Sequence, residues 1–351
     1  MCFVSRGPAP SLSGVPEMRR RWFVVGALAA ASLMAAPTGW AQNYPSGGPL
    51  KIVAPYAEGG SADLFARTIA DGLGKKLGQQ VSVEDRPGAG GAVGLQIVMH
   101  AAPDGRTLLL GQTGEIVIQP YLMNQPGPRP DPVALVAVMP LAVAVPSAAP
   151  YRNLDELIKA ARSAPRGLSV ASPGRFTPGD LAIELFRIRT GARLASVPFD
   201  GGGPALNALT DGLVDLYFST LPSAMPYARA GKVKILAITS EERSPILPDV
   251  PTVQQSGVSR FAVSQWAGVF VPRGTPESIV TALNRDINEI LTRPEVNEKL
   301  TQSGAKVMPI SSEEFRDFIR RDSKLYKELL TAELCSEFVV ESCSAGGIFS
   351  Q

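Results

Sequence analysis

Histidine is nearly absent from this chain of 351 residues, which has one, His100, and cysteine is scarce at three. A single histidine excludes a histidine-rich metal site and leaves His100 as the one candidate base for a Ser-His-Asp centre. Its setting, Ile97-Val98-Met99-His100-Ala101-Ala102, marks a helix end rather than a catalytic base. Cys2 has no apolar segment ahead of it and is no lipid-attachment site. Cys335 and Cys343 would be able to pair in an oxidising compartment, and their position near the chain end does not decide it. Phosphate loops of the Gly-Lys-Ser/Thr kind, Gly-x-Ser-x-Gly elbows and zinc-type cysteine pairs are missing.

Excess charge is lacking as well, once the N-terminus is set apart. Arg19, Arg20 and Arg21 precede an apolar run from Trp22 to Ala36, then Pro37 and Gly39-Trp40-Ala41. That pattern predicts a secretory signal peptide over 1–41, with cleavage near Ala41. The leader before Met18 is longer than such signals carry, and Arg20-Arg21-Trp22-Phe23 has a faint twin-arginine character. The segment removes Arg6, Arg19, Arg20, Arg21 and Glu17, so 34 basic and 32 acidic residues become 30 and 31, and +2 becomes −1. The basic balance therefore belongs to the export signal, and no nucleic-acid or anionic-membrane partner is expected. No later run is long and apolar enough to span a bilayer. The remaining roughly 310 residues suffice for two domains.

What is present is an alternation of short β-rich runs with helical patterns, which predicts α/β layers with mostly parallel sheets. Strands are expected at Lys51–Ala54, Val81–Glu84, Thr107–Leu110, Leu135–Val145, Leu168–Ala171, Ala195–Val197, Val214–Phe218, Lys234–Thr239 and Gly268–Val271. Asn153-Leu-Asp-Glu156 has the form of a capping box. Thr177-Pro178-Gly179-Asp180 opens a helix that Gly191 stops, and Gly231 and Gly304 close two more. A last amphipathic helix is expected from Ser312 to Leu334 through Phe315, Phe318, Ile319, Leu325, Tyr326 and Leu329, followed by a divergent tail over 335–351.

Two motifs invite chemistry. Arg86-Pro87-Gly88-Ala89-Gly90-Gly91-Ala92-Val93-Gly94 fails the dinucleotide fingerprint, because the sixth position from Gly88 is Val93 and no acid follows at a strand end. Asp211 and Asp215 flank Gly212-Leu213-Val214 and read as solvent-facing turn acids. The segment from Leu50 to Leu77 is more informative. Leu50, Ile52 and Val53 form a strand, Glu58-Gly59-Gly60-Ser61 makes a turn, and Leu64, Phe65, Ile69, Leu73 and Leu77 define a helical face. Ser61 is the expected N-cap, with Asp63 in the first turn. Two readings are open: an ordinary strand-to-helix turn, or a seat of main-chain amides for an anion such as a carboxylate.

The ordered motifs Ala54-Pro55-Tyr56 with Gly59-Gly60-Ser61-Ala62-Asp63, Arg86-Pro87-Gly88-Ala89-Gly90-Gly91, Ala102-Pro103-Asp104-Gly105, Val197-Pro198-Phe199, Leu221-Pro222-Ser223-Ala224, Leu247-Pro248-Asp249-Val250-Pro251-Thr252 and Gly274-Thr275-Pro276 continue over nearly the whole exported chain. In these, residues from about Tyr44 to Leu330 resemble the Bug (TctC-like) extracytoplasmic solute receptors of tripartite tricarboxylate transport systems. The resemblance implies an α/β, two-lobed periplasmic binding protein (type II-like), with two mixed or parallel sheets flanked by helices, a hinge and an interlobe cleft. Lobe 1 would comprise 42–145 plus 262–334 and lobe 2 would comprise 146–261, with the hinge near Val138–Val145 and Phe261–Gln265.

The same resemblance implies a monomer without catalytic residues, metal or cofactor, which captures a small carboxylate and hands it to permease subunits. A sensor protein as partner is the alternative, and an exported hydrolase a third reading for which the chain offers no residues. Mapped residue by residue, the first-lobe contacts would be Tyr56, Gly59, Gly60, Ser61 and Asp63, with Gln112, Thr113 and Gly114. The second-lobe contacts would be Ser172, Gly174, Arg175 and Thr177, with Phe199, Asp200, Gly201 and Ser219. The chain departs from the family pattern at Ser172-Pro173-Gly174-Arg175-Phe176-Thr177, where Arg175 would fork onto a second carboxylate or face solvent. It departs also at Ser219, which stands where relatives have Asp, at the shortened stretch Asn124 to Pro132, and beyond Leu334.

Overall fold

The computed structural model describes residues 48–123 and 129–331. The expected signal peptide, Cys2, Cys335, Cys343, the tail and part of the Asn124–Pro132 stretch lie outside them.

Ten strands form one continuous network whose order is β2-β1-β3-β9-β4-β7-β5-β6, with β10 and β8 added on β4. All nine strands expected from the sequence are present: β1 (Leu50–Ala54), β2 (Val81–Asp85), β3 (Thr107–Gln112), β4 (Asp131–Pro146), β5 (Leu168–Ser172), β6 (Leu194–Pro198), β7 (Leu216–Thr220), β8 (Val233–Ile238) and β9 (Ser264–Val271). The tenth, β10 (Lys306–Val307), is two residues long and carries no alternation by which to recognise it.

The network is two sheets that share β4. Strand β4 is 16 residues of almost unbroken apolar sequence, buried along nearly its whole length, as expected of a strand covered on both faces. Its first part pairs antiparallel with β9 from Asp131 to Pro140. Its second part, from Leu141 on, pairs with β7 and from Ala142 with β8. Pro140 stands at the change of partners, where a residue without an N–H leaves no ladder bond unmade. One hydroxyl ties the two crossing points together: Thr239 Oγ1 accepts from the Leu141 N–H at 2.8 Å and donates to the Val263 carbonyl at 2.5 Å.

Helices cover both sheets. Around the first sheet lie α1 (Ser61–Leu77), α2 (Ala92–Met99), a π-turn at Gly114–Ile118 running into the short α3 (Gln119–Leu122), α8 (Glu277–Thr292), α9 (Pro294–Gln302) and α10 (Ser312–Leu329). Around the second lie α4 (Leu154–Ser163), α5 (Pro178–Thr190), α6 (Gly202–Thr210) and α7 (Leu221–Arg229). Each sheet has its own aromatic centre. Phe186 and Phe218 meet edge-on at 5.4 Å in the second, and Trp266 meets Phe315 at 5.6 Å in the first.

Several local expectations need correcting. Gly60, in extended conformation, is the N-cap of α1, and Ser61 is its first helical residue. No side chain caps α1; the Asp63 carboxylate instead accepts the Gly59 N–H of the preceding turn at 3.1 Å. Asn153 caps α4 by accepting from the Glu156 N–H at 3.0 Å, but the Glu156 carboxylate reaches back to the Arg152 N–H, so the box is only half formed. The complete box is at Ser311 and Glu314, which opens α10. Leu325 on that helix is exposed, outside the buried face of Phe315 and Tyr326. Asp215 does not face solvent: its carboxylate accepts from both the N–H and the hydroxyl of Ser169 at 2.7 Å. His100 does end α2, and its ring contacts the Gln96 carbonyl. Thr177, Gly191, Gly231 and Gly304 also take the helix-end roles expected of them.

A pH effect on stability arises where α10 meets β9. The Trp266 Nε1–H donates to Asp322 Oδ2 at 2.7 Å, and burial, partly offset by that bond, raises the Asp322 carboxyl to about 6 from an ordinary 3.8. A carboxyl with a raised pKa binds more protons folded than unfolded, so it contributes a stability loss as pH rises from about 4 to 6, and a constant deficit above that. Asp322→Asn keeps an acceptor for the indole and is expected to raise stability by roughly 1–3 kcal/mol at pH 7.5 and by nothing at pH 4. Urea titration at the two pH values checks it.

Candidate functional site

The carboxyl ends of β1, β3, β5 and β7 open toward the junction of the two sheets; β1 and β5 pass through a turn into a helix, and β3 and β7 run almost directly into helical segments. This is where open α/β sheets place ligands. Four of the helices begin at one small cavity: α1 through Gly60, Ser61 and Ala62, α5 through Thr177 and Gly179, α6 through Gly202, and α7 through Thr220 and Ser223. The first turn of each helix leaves amide N–H groups without intrahelical partners and carries the positive end of the helix dipole. Tyr56, Gln112, Tyr217 and Gln265 add hydroxyl and amide groups, while Leu141, Pro173 and Phe218 make an apolar side. No Lys, Arg, Asp or Glu lines the cavity among the described residues.

Two seams, where glycines permit backbone to meet backbone, bound the cavity. Along one, the Ala57 N–H donates to the Asp200 carbonyl at 2.9 Å, and Gly59 and Gly60 lie against Gly202 and Gly203. A side chain at Gly203 would run into the Glu58 carbonyl. Along the other, Gly90, at φ +62°, packs on the Arg175 carbonyl and Gly174, and Gly114 packs on Thr177. The closed space between the seams is only about 30 Å³, room for about two water molecules.

Among the residues mapped from the sequence, Tyr56, Gly60, Ser61, Gln112 and Thr177 line the cavity. Gly59, Gly114, Gly174, Asp200 and Gly201 belong to the seams. Others stand one layer behind. Asp63 pairs with Arg67 at 2.5 Å, Thr113 Oγ1 accepts the Trp266 N–H at 3.0 Å, Ser172 donates to Asp180 Oδ1 at 2.9 Å, and Ser219 donates to the Thr220 carbonyl at 3.1 Å. Phe199 packs against the Leu206–Leu209 cluster of α6. Arg175 is exposed, its guanidinium 5.0 Å from the Phe176 ring centroid, and so does not reach the cavity.

Sequence reasoning missed Tyr217, Gln265, Gly202, Thr220 and Ser223. The first two sit on strands whose inward face depends on sheet register. Ser223 stood in the Leu221-Pro222-Ser223-Ala224 motif, but the convergence of α7 on α1 is a long-range fact. Burial pushes the Tyr217 and Tyr56 phenols up, so both are neutral donors at any physiological pH.

The profile described as "Tripartite tricarboxylate transporter family receptor" matches residues 65–333. The chain belongs to this family. Its members are periplasmic solute-binding receptors. Protein BugT of Bordetella pertussis is 34% identical over 308 residues, which span 86% of this chain and 94% of BugT. MatC from Rhodopseudomonas palustris, solved with bound malate, superposes with TM-score 0.72 at 35% identity, over 79% of this chain and 98% of MatC. Another R. palustris protein, solved with adipate, superposes with TM-score 0.77 at 29% identity, over 82% of this chain and 98% of its own. The two-lobed α/β fold and the family expected from the sequence are thus both found.

Proposed function

We propose that this receptor captures a small organic acid between its lobes, unaltered, in the periplasm, and as a monomer presents it to the membrane subunits of a tripartite tricarboxylate-type transporter. One observation carries the reading: four helix N-termini meet at a cavity that holds polar neutral side chains and no formal charge. Such an arrangement solvates an anion with main-chain amides. An amine or guanidinium ligand would find no carboxylate there. That related proteins hold malate and adipate supports the carboxylate class. We take the division between the lobes to fall at Pro140–Leu141 and Val263–Ser264, a choice supported by the change of strand partners there.

The test is a thermal-shift panel of mono-, di- and tricarboxylates, amino acids and aromatic acids. A ligand at 100 times its Kd is expected to add about 2.7 kcal/mol to stability and several degrees to Tm. A panel in which only cationic solutes shift the transition would sink the proposal.

A further inference from the structure

Besides its rim of helix ends the cavity has a floor, and two carboxamides stand on it. Sheet register puts them on one face. Gln265 of β9 pairs with Met139 of β4, and Gln112 at the end of β3 pairs with Ala267 of β9. Paired residues share a face, and so do alternate residues along a strand. Gln112, Ala267, Gln265, Met139 and Leu141 therefore point the same way, and Gln112, Gln265 and Leu141 line the cavity. Trp266, between the two cavity-facing positions of β9, points to the opposite face and joins the core of the first sheet. Gln112 and Gln265 are diagonal neighbours across the β3–β9 ladder, a spacing that long side chains bridge.

Both amides have hydrogen bonds to spare. Gln265 is 6% exposed, and its carboxamide has no hydrogen-bond partner among the described residues. Gln112 is 4% exposed; its Nε2 donates to Ser61 Oγ at 3.3 Å, and its Oε1 has no partner among them. A buried amide left unpaired is costly. The side-chain atoms that are both unpartnered and sealed off belong to Asp63, Gln79, Asp85 and Asn288 among the described residues. Neither cavity glutamine is one of these, so both amides open onto the space they line.

The chemistry of a carboxamide is selective. It offers one acceptor oxygen and two N–H donors. A second carboxylate on the ligand has only acceptors, and would face the amide oxygens with no proton between. An ammonium has only donors, and would enter a cavity where no carboxylate offsets its charge among the described residues. A hydroxyl both gives and takes a hydrogen bond, and matches the amide on both counts. We propose that Gln265, with Gln112 as its neighbour, reads a hydroxyl group on the ligand, which makes this a receptor for hydroxylated organic acids. This rests on the carboxylate reading of the cavity and narrows it. Ser61 joins the two kinds of recognition: it stands in the first turn of α1, among the amides that seat the anion, and accepts from Gln112.

The experiment is calorimetric titration of the mature receptor with three pairs of acids that differ by one hydroxyl: malate and succinate, citrate and tricarballylate, mandelate and phenylacetate. Aspartate is titrated beside them, because its ammonium replaces the malate hydroxyl. In the pair that binds, the hydroxy acid is expected to be held about 10- to 100-fold tighter than its deoxy partner. Gln265→Leu, similar in size and without polar atoms, is expected to erase that preference from both sides. The hydroxy acid weakens roughly tenfold, and the deoxy acid tightens, since no amide is then stranded against it. A purely structural role for Gln265 would weaken both acids alike. Melting scans show whether the variant folds, and the preference of the unsubstituted receptor is a test that does not need it.

Equal affinity within the binding pair, or tightest binding by the deoxy acid or by aspartate, overturns the hydroxyl reading and leaves the carboxylate reading standing. A preference that survives in Gln265→Leu, or a parallel loss of both acids in the folded variant, does the same. Absence of binding by all seven acids removes the carboxylate reading and this inference with it.

Discussion

Gly203→Val is expected to lower affinity for the receptor's acid at least 100-fold while Tm stays within a few degrees of the parent. Gly203 is the second residue of α6, and a side chain there would collide with the Glu58 carbonyl of the opposite lobe. That carbonyl belongs to the turn that ends at the N-cap of α1. Valine is tolerated in a helix at a cost of well under 1 kcal/mol relative to alanine, so the open form should fold normally. Closure is what suffers, because the four helix ends are brought to one point only when backbone meets backbone along this seam. A 100-fold loss is about 2.7 kcal/mol, less than the penalty for forcing such a contact. Calorimetry gives the affinity and a melting scan gives the control. Unchanged affinity would mean that the seam between Gly59 and Gly203 does not form when ligand is held.

Phe315→Ala is expected to destabilise the chain by about 3–5 kcal/mol and to lower Tm by roughly 10 °C. Phe315 is fully buried and meets Trp266, Phe270 and Phe318 with centroid distances of 5.6, 5.3 and 6.5 Å. Its ring occupies the space that Gly268 on β9 leaves free, where any Cβ would strike it. The fit of a large residue on α10 into a gap on β9 cannot be relaxed by neighbouring side chains, since the sheet backbone forms one wall. Denaturant unfolding measures the loss, and a value below 1 kcal/mol would show that α10 adds little to the first lobe.

These two residues also mark what the sequence made legible. Phe315 was readable as one of a helical apolar stripe, as were the nine longer strands, because burial on one face or both writes itself into local periodicity. Helix ends at Thr177, Gly191 and Gly231 were legible because the capping chemistry is contained in a few adjacent residues. Leu325 misled the same reading: it has the right residue type, but α10 turns it outward. Ser61 misled the cap assignment, since a serine at a helix start reads as a cap even where, as here, it stands one residue inside the helix behind Gly60.

At the site, the division follows sequence distance. Gly59 and Gly60 announced a turn, and their family setting announced a ligand. Their partners Gly202 and Gly203 looked like any small-residue helix start, because what makes them functional is contact across more than 140 positions in the chain. Arg175, chemically the most suggestive residue of the second-lobe turn, points away from the cavity.

A crystal structure of the receptor with the acid that most raises its Tm tests the central claim most directly. The expected result places a carboxylate of the ligand within about 3.2 Å of main-chain N–H groups in the first turns of α1 and α6, with hydroxyls of Ser61, Thr177 or Ser223 completing its shell and no Lys or Arg in contact. A ligand carboxylate held instead by Arg175 or another cation, or bound outside the two seams, would contradict the account.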